Sequence, residues 1–201
     1  MKILVTGANG QLGSEINKIS TKYNYNWVFT GRDNFDLSNL KNINVKLDTI
    51  NPNLIINCAA FTSVDNAEDD FKSANIINHM SVKFIAKWCN NNNSKLIHIS
   101  TDYVYGEKPE EPINEDDLTN PINNYGKTKL SGDIACGIMN PDSIIIRTSW
   151  LYSSFGKNFV KKMINLMQNK KKLNVINDQI GSPTYAADLA QVILNIIYNN
   201  N

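Results

Sequence analysis

The opening thirteen residues narrow the folds available to this chain more than any other stretch. Lys2-Ile-Leu-Val-Thr6 is a short apolar run that ends at a glycine, the pattern of a strand buried on both faces of a parallel sheet. Gly7-x-x-Gly10-x-x-Gly13 follows, and helical spacing (Leu12, Ile16, Ile19) continues over residues 14–21. Strand, glycine turn and helix in that order form a phosphate-binding turn. Glycines let the backbone approach a pyrophosphate, and the helix N-terminus offers it free N–H groups. Gly7, Gly10 and Gly13 are therefore candidates to bind a dinucleotide cofactor, although their spacing differs from the more widespread Gly-x-Gly-x-x-Gly.

The rest of the chain alternates in the same sense. Asn26–Thr30 reads as a second strand, followed by Gly31-Arg32-Asp33 where such a fold meets the adenosine ribose. An arginine there suits a 2′-phosphate and an acid suits a free 2′-hydroxyl, so NADPH and NADH both stay open, with a tilt toward NADPH. Asp36 is either a turn residue before a helix over 38–50 or a neighbour of the adenine. Residues 53–57 read as a third strand, and the small residues that follow it leave room for a ligand at the carboxyl edge. Asp65 and Glu68 have the spacing of a helix cap, opening one long helix to about residue 90. Within it Asn78 is either a helper of the site or an exposed residue. Residues 95–99 make a fourth strand with His98 as a satisfied sheet histidine, 107–121 a surface loop, and 143–147 a fifth strand. The alternation predicts an α/β fold, a doubly wound parallel sheet in a single domain over 1–201.

Tyr125 and Lys129 stand four residues apart in a helical stretch, so both side chains leave one face. A free tyrosine titrates near ~10, and a nearby ammonium lowers that value until the phenol is usable as a general acid. Thr101, at the end of the fourth strand, supplies a hydroxyl able to bond the oxygen that the tyrosine protonates. On a parallel sheet the glycine turn, Thr101 and Tyr125 converge on one carboxyl edge although they are far apart in sequence. Composition adds exclusions. With 20 basic and 19 acidic residues there is no electrostatic case for nucleic acid or an anionic membrane. The basic run at 170–172 reads as solvated charge at a helix end. No apolar run is of bilayer length, and the N-terminus is not expected to be a signal peptide. Cys58, Cys89 and Cys136 lack metal-ligand spacing and read as free thiols of a cytoplasmic protein.

Taken together, the glycine turn, Thr101 and Tyr125-x-x-x-Lys129 resemble the extended short-chain dehydrogenase/reductase superfamily. More narrowly, five blocks resemble the dTDP-4-dehydrorhamnose reductases. They are Thr6-Gly-Ala-Asn-Gly-Gln-Leu-Gly13, Ser100-Thr-Asp-Tyr-Val104, Tyr125-Gly-Lys-Thr-Lys-Leu130, Arg147-Thr-Ser-Trp150 and Asn177-Asp-Gln-Ile-Gly-Ser-Pro-Thr184. The resemblance implies a Rossmann-type fold and reduction of the 4-keto group of a dTDP-6-deoxy sugar by NADPH or NADH. It places Gly10, Gln11 and Leu12 along the cofactor phosphates, Asp36 and Leu37 by the adenine, and Ala60, Phe61 and Thr62 along the inner half of the cofactor. Arg32 joins the cofactor set. Thr101, Asp102 and Trp150 would line the sugar site, and Lys129 would hold the cofactor ribose. A homodimer is an expectation of the same kind. Members of that family ordinarily continue past the helix at 187–198 with a portion that helps bind substrate, so only part of the substrate region (about 148–201) is expected here. Three other readings share the frame: a cofactor-binding regulatory subunit like that of methionine adenosyltransferase, an inactive truncated form, and a sister epimerase or dehydratase. The Thr101–Tyr125–Lys129 set favours an enzyme, and the Arg147 block favours the reductase.

Overall fold

The computed structural model describes residues 1–106 and 112–199; the start of the loop expected over 107–121 lies outside the described residues. Five strands form one wholly parallel sheet: β1 (Lys2–Thr6), β2 (Asn26–Thr30), β3 (Leu54–Asn57), β4 (Lys95–Thr101) and β5 (Ile144–Thr148). Their order across the sheet is β2-β1-β3-β4-β5. The winding reverses between β1 and β3, and a crevice at such a reversal is where open α/β sheets bind ligands.

Side chains alternate along each strand, so both faces need covering. Ile3, Val5, Ile56 and Ile97 face α1 (Gln11–Ser20) and α8 (Ala186–Asn199), which contribute Leu12, Ile16, Leu189 and Ile193. Leu4, Ile55 and Leu96 face α2 (Leu40–Ile50) and α5 (Ser81–Asn91) through Ile43, Leu47, Val82 and Ile85. A fully buried aliphatic side chain is worth about 1.5–3 kcal/mol. By seating Leu189, Ile193, Leu194 and Ile197 in that layer, α8 is part of the core rather than an appendage.

The long helix expected up to about residue 90 is instead a series of short pieces. They are α3 (Val64–Asp69), α4 (Phe71–Asn75), a π-helical turn (Ile76–Met80) and α5. Asp65 is not a cap; it lies inside the first turn of α3, whose N-cap is Ser63. The break has a cause one turn later, where the Asp70 carboxylate accepts from Ser73 N at 3.0 Å and caps α4. A short polar side chain that bonds nearby backbone competes with helix continuation.

On α6 (Asn124–Met139) two glycines replace side chains with backbone contact. A Cβ at Gly132 would fall 2.1 Å from Asn78 O of the π-helical turn, and one at Gly126 would fall 2.3 Å from Tyr103 O. Gly137, on the same helix, has nothing within 4 Å. Alanine normally stabilises a helix interior over glycine by about 0.8–1 kcal/mol. Gly137→Ala should therefore raise stability by about that amount in urea melts. Gly132→Ala should lower it by about 1–3 kcal/mol, because overpacking against backbone cannot relax cheaply. Equal behaviour of the two variants would mean that α6 is not seated on the π-helical turn.

Candidate active site

The glycine turn lies against the exit of β3. Gly7 has φ 65°, and a Cβ on it would fall 2.7 Å from Ala59 N; one on Gly13 would fall 2.5 Å from Gly7 O. The first intrahelical bond of α1 runs from Ser14 N to Gly10 O at 3.0 Å. The amides of residues 11–13 thus form a first turn that a helix cannot satisfy internally. Leu12 is buried in the core, so only its backbone is available to a phosphate. Gln11 uses its side chain elsewhere. Its Nε2 donates to Leu151 O at 3.1 Å, and its Oε1 accepts from Asn158 Nδ2 at 2.8 Å. One turn on, Glu15 is fully buried and its Oε1 accepts from Ser153 Oγ at 2.6 Å. Through these bonds α1 holds the segment that follows β5. Sequence reasoning missed this latch; its sole local sign is two polar residues one helical turn apart, with partners some 140 positions away.

After β2, Arg32 has an 80% exposed side chain, with Nε 3.8 Å from Asp36 Oδ2. Asp36 Oδ1 accepts from Ser38 N at 2.9 Å, and that backbone bond holds the carboxyl below its usual range. Asp36 is therefore engaged as a turn residue. Leu37 is buried beside Phe35 in the core. Ala60, Phe61 and Thr62 follow β3, and Phe61 is fastened at both backbone groups by Asn78. Asn78 Oδ1 accepts from Phe61 N at 2.8 Å, and Nδ2 donates to Phe61 O at 3.0 Å and to Thr128 Oγ1 at 3.1 Å. Asn78 is thus buried, not exposed, and is a strut between the segment at 60–62 and α6.

Gly126 lets the start of α6 close onto Tyr103, which meets the Tyr125 ring edge-on at a centroid distance of 5.5 Å. Glu68 adds an anchor by accepting from Asn124 N at 2.7 Å. Thr101 and Tyr125 are brought together, the Thr101 side chain favouring the charged form of the phenol against burial. Thr101 Oγ1 also donates to Asp102 Oδ1 at 3.0 Å, and burial pushes the Asp102 carboxyl up. The expected lowering of the phenol by Lys129 is not what the structure shows. Burial pushes Tyr125 up to about 12, Thr101 is the group opposing that rise, and Lys129 has no part in it. The amine is engaged deeper: Lys129 is 1% exposed and its Nζ donates to Ile99 O at 2.7 Å. Desolvation brings that amine down to about 8.

Trp150 stands beyond the end of β5 with φ 44° and 45% exposure. Gly181 is pressed on its indole, where a Cβ would fall 2.4 Å from Cε2, and Ser149 Oγ donates to Ser182 O at 2.5 Å. The Gly181-Ser-Pro-Thr184 block therefore docks on the Trp150 block. A short parallel pair, β6 (Leu151–Tyr152) and β7 (Thr184–Tyr185), continues the contact.

A parallel sheet with a glycine turn at the winding reversal, and a hydroxyl, phenol and amine at neighbouring strand and helix ends, defines a Rossmann-like nucleotide-binding protein of the dehydrogenase type. The chain belongs to the RmlD family: the model described as the RmlD substrate binding domain matches residues 1–201. It is 39% identical over 196 residues to the dTDP-4-dehydrorhamnose reductase of Aggregatibacter actinomycetemcomitans, covering 97% of this chain and 67% of that protein. A crystal structure of a dTDP-4-dehydrorhamnose reductase from Clostridium acetobutylicum superposes with a TM-score of 0.95 at 43% identity, over 99% of this chain and 71% of that one. The Bacillus anthracis dTDP-4-dehydrorhamnose reductase in complex with NADP gives a TM-score of 0.93 at 38% identity, over 98% and 70%. The chain thus spans about two thirds of the length of the curated relatives it matches.

The latch carries a prediction of its own. Gln11→Ala removes the bonds to Leu151 and Asn158 and should cost about 1–2 kcal/mol. Hydrogen exchange should show residues 151–158 losing protection while β1, β3 and β4 keep theirs. Unchanged protection over 151–158 would mean that the segment is held without Gln11.

Proposed function

We propose that this chain is an NAD(P)H-dependent reductase of the 4-keto group of a dTDP-4-dehydro-6-deoxy sugar, converting dTDP-4-dehydro-L-rhamnose to dTDP-L-rhamnose for cell-surface polysaccharide. The observation that carries it is the convergence of the Gly7–Gly13 turn, Thr101, Tyr125 and Lys129 on one carboxyl edge, in a chain of the RmlD family. Relatives named as dTDP-4-dehydrorhamnose reductases, and one of them in complex with NADP, support it. A reading as a cytoplasmic protein agrees with three free cysteines, two of them buried. No helix among the described residues is long and apolar enough to cross a membrane.

The residues fit such a cofactor. The turn carries no side chain at Gly7, Gly10 or Gly13, so its amides are open to a pyrophosphate, and Arg32 is free to meet a 2′-phosphate. Residues 60–62 would line the inner half, and Lys129 would hold the ribose. When bound, the reduced nicotinamide supplies the hydride to the carbonyl carbon. Thr101 and Tyr125 would both donate to the carbonyl oxygen, fixing its position. As that oxygen gains negative charge, Tyr125 gives it the phenolic proton. A phenol pushed up to about 12 is fully protonated at neutral pH, so the proton is in place before the substrate arrives. Asp102 and Trp150 would line the sugar side.

The purified protein should bind NADPH or NADH in fluorescence titrations; binding of neither at millimolar concentration would sink the reading. Tyr125→Phe should lower turnover of dTDP-4-dehydro-L-rhamnose about 10²–10⁴-fold while leaving cofactor affinity nearly intact. Lys129→Met should damage both. Undiminished turnover in Tyr125→Phe would assign the proton transfer elsewhere.

A further inference from the structure

Lys129 is buried, with no carboxylate among the described residues in direct contact. Its Nζ donates to Ile99 O at 2.7 Å and lies 3.3 Å from His98 Nε2. The proton on that imidazole can be placed from the other side of the ring. Thr6 Oγ1 accepts from Ala59 N at 3.4 Å and donates to Asn57 Oδ1 at 2.6 Å. Asn57 therefore presents its Nδ2 to His98 Nδ1, 3.1 Å away, so Nδ1 accepts and a neutral ring carries its proton on Nε2. An Nε2–H can bond Lys129 only when the lysine is a neutral amine. Past the ring, 3.8 Å from Nε2, stands Asp133 Oδ1, a buried carboxylate oxygen with no hydrogen-bond partner among the described residues. The other oxygen, Oδ2, accepts from Ser100 Oγ at 2.9 Å and from Arg147 Nε at 3.3 Å. Asp133 is one turn on from Lys129 in α6, so both side chains leave the same face.

We propose that Asp133, with His98 between, is the buried counter-charge that decides whether Lys129 is an ammonium or an amine, and is thus a positioning residue for the reduction. This rests on the reading of Lys129 as the group that holds the cofactor ribose. Among the described residues, the titratable and charged groups around the amine are His98 of β4, Cys58 after β3, Tyr125, Asp133 and Cys136 of α6, and Arg147 of β5 behind Asp133. Burial pushes Cys58 and Tyr125 each up to about 12 and raises Cys136 as well, while His98 is driven well below its usual value. None of these carries charge at neutral pH, which leaves Asp133 as the anion of the set. Burial raises the Asp133 carboxyl as well, and Ser100, Lys129 and Arg147 favour its charged form against that burial. Lys129, brought down to about 8 by desolvation with Asp133 the foremost opposing influence, is a cation below that pH and an amine above it. A function that needs the cation is lost as pH rises through that value.

The test is a 13C NMR titration of the Lys129 side chain in cofactor-free protein, wild type against Asp133→Asn. The asparagine keeps an acceptor for Ser100 but not the charge. The wild-type midpoint should lie near 8. That of the variant should be lower by at least about one unit, since an opposite charge within a few ångströms shifts a neighbour by about 1–3. The alkaline limb of kcat/KM should move down with it, giving about tenfold less activity on that limb and recovery near pH 6. Asp133→Glu should restore the wild-type profile. An unmoved Lys129 midpoint, or a uniform loss of rate at every pH, would overturn the proposal. Should Asp133→Asn fail to fold, Asp133→Ser serves: it too removes the carboxylate charge, so the Lys129 midpoint must fall, and an unmoved one is equally fatal. The lysine titration needs neither substrate nor cofactor, so it fails independently of the reductase reading, which would fail through absent turnover in the wild type.

Discussion

Backbone lying on backbone, where a side chain would ordinarily intervene, is the constraint on which the rest of this molecule depends. Gly7 meets Ala59, Gly126 meets Tyr103 O and Gly132 meets Asn78 O, each closer than any Cβ allows. These contacts bring three elements together: the turn after β1, the segment after β3, and α6. Because α6 is held at two glycines six residues apart, its intervening turns cannot slide or roll, and Tyr125 and Lys129 are delivered to fixed places at the end of β4. The π-helical turn belongs to the same device. It puts Asn78 O under Gly132 and the Asn78 side chain between Phe61 and Thr128, so one residue sets both the helix and the wall opposite it.

Much of this was legible in the sequence, for a physical reason. Strands buried on both faces must be continuous apolar runs, so β1 to β5 announced themselves, and the glycine turn fixed the sense of the winding. What could not be read were the pieces whose determinants are non-local. Residues 63–91 have helical periodicity throughout, yet Asp70 caps a new helix and a π-helical turn follows, and neither changes the apolar pattern. Asp36 and Asn78 were left between two roles each; the structure gives Asp36 a 2.9 Å turn bond to Ser38 N and buries Asn78 against Phe61, so Asn78 is not an exposed residue. The effect of Lys129 on Tyr125 was misjudged because helical spacing places two side chains on a face without saying how far each goes. The amine continues past the phenol to Ile99 O, and burial then governs both groups.

The region after β5 is tied back to the helix that follows the glycine turn. Gln11 and Glu15 leave the helix that opens at the phosphate turn and bond Leu151, Asn158 and Ser153 on the other side of the crevice. Trp150, in a left-handed backbone conformation, is pinned from behind by Gly181. The segment that starts at Trp150, which the proposed function places on the sugar side, is therefore fastened to the helix that opens at the glycine turn.

The buried polar cluster beneath Lys129 makes little sense as a device for stability. Taking Lys129, Asp133 and His98 out of water costs several kcal/mol per ion, and apolar residues of similar volume would often serve folding as well or better. The geometry is also imperfect as a Lys129–Asp133 ion pair: Asp133 Oδ1 has no partner among the described residues, and the cation that Asp133 does bond is Arg147, through Oδ2 at 3.3 Å. A cluster selected for strength would close that gap. One that must let an amine change its charge and its partners has to leave the bond unmade, because a tight Lys129–Asp133 pair would hold the ammonium in the core. A carboxylate out of contact, beyond the His98 ring, favours the cation through space while Nζ keeps its bond to Ile99 O. The separation of Asp133 from Lys129 by His98 therefore suits a lysine with work to do at the surface of the site.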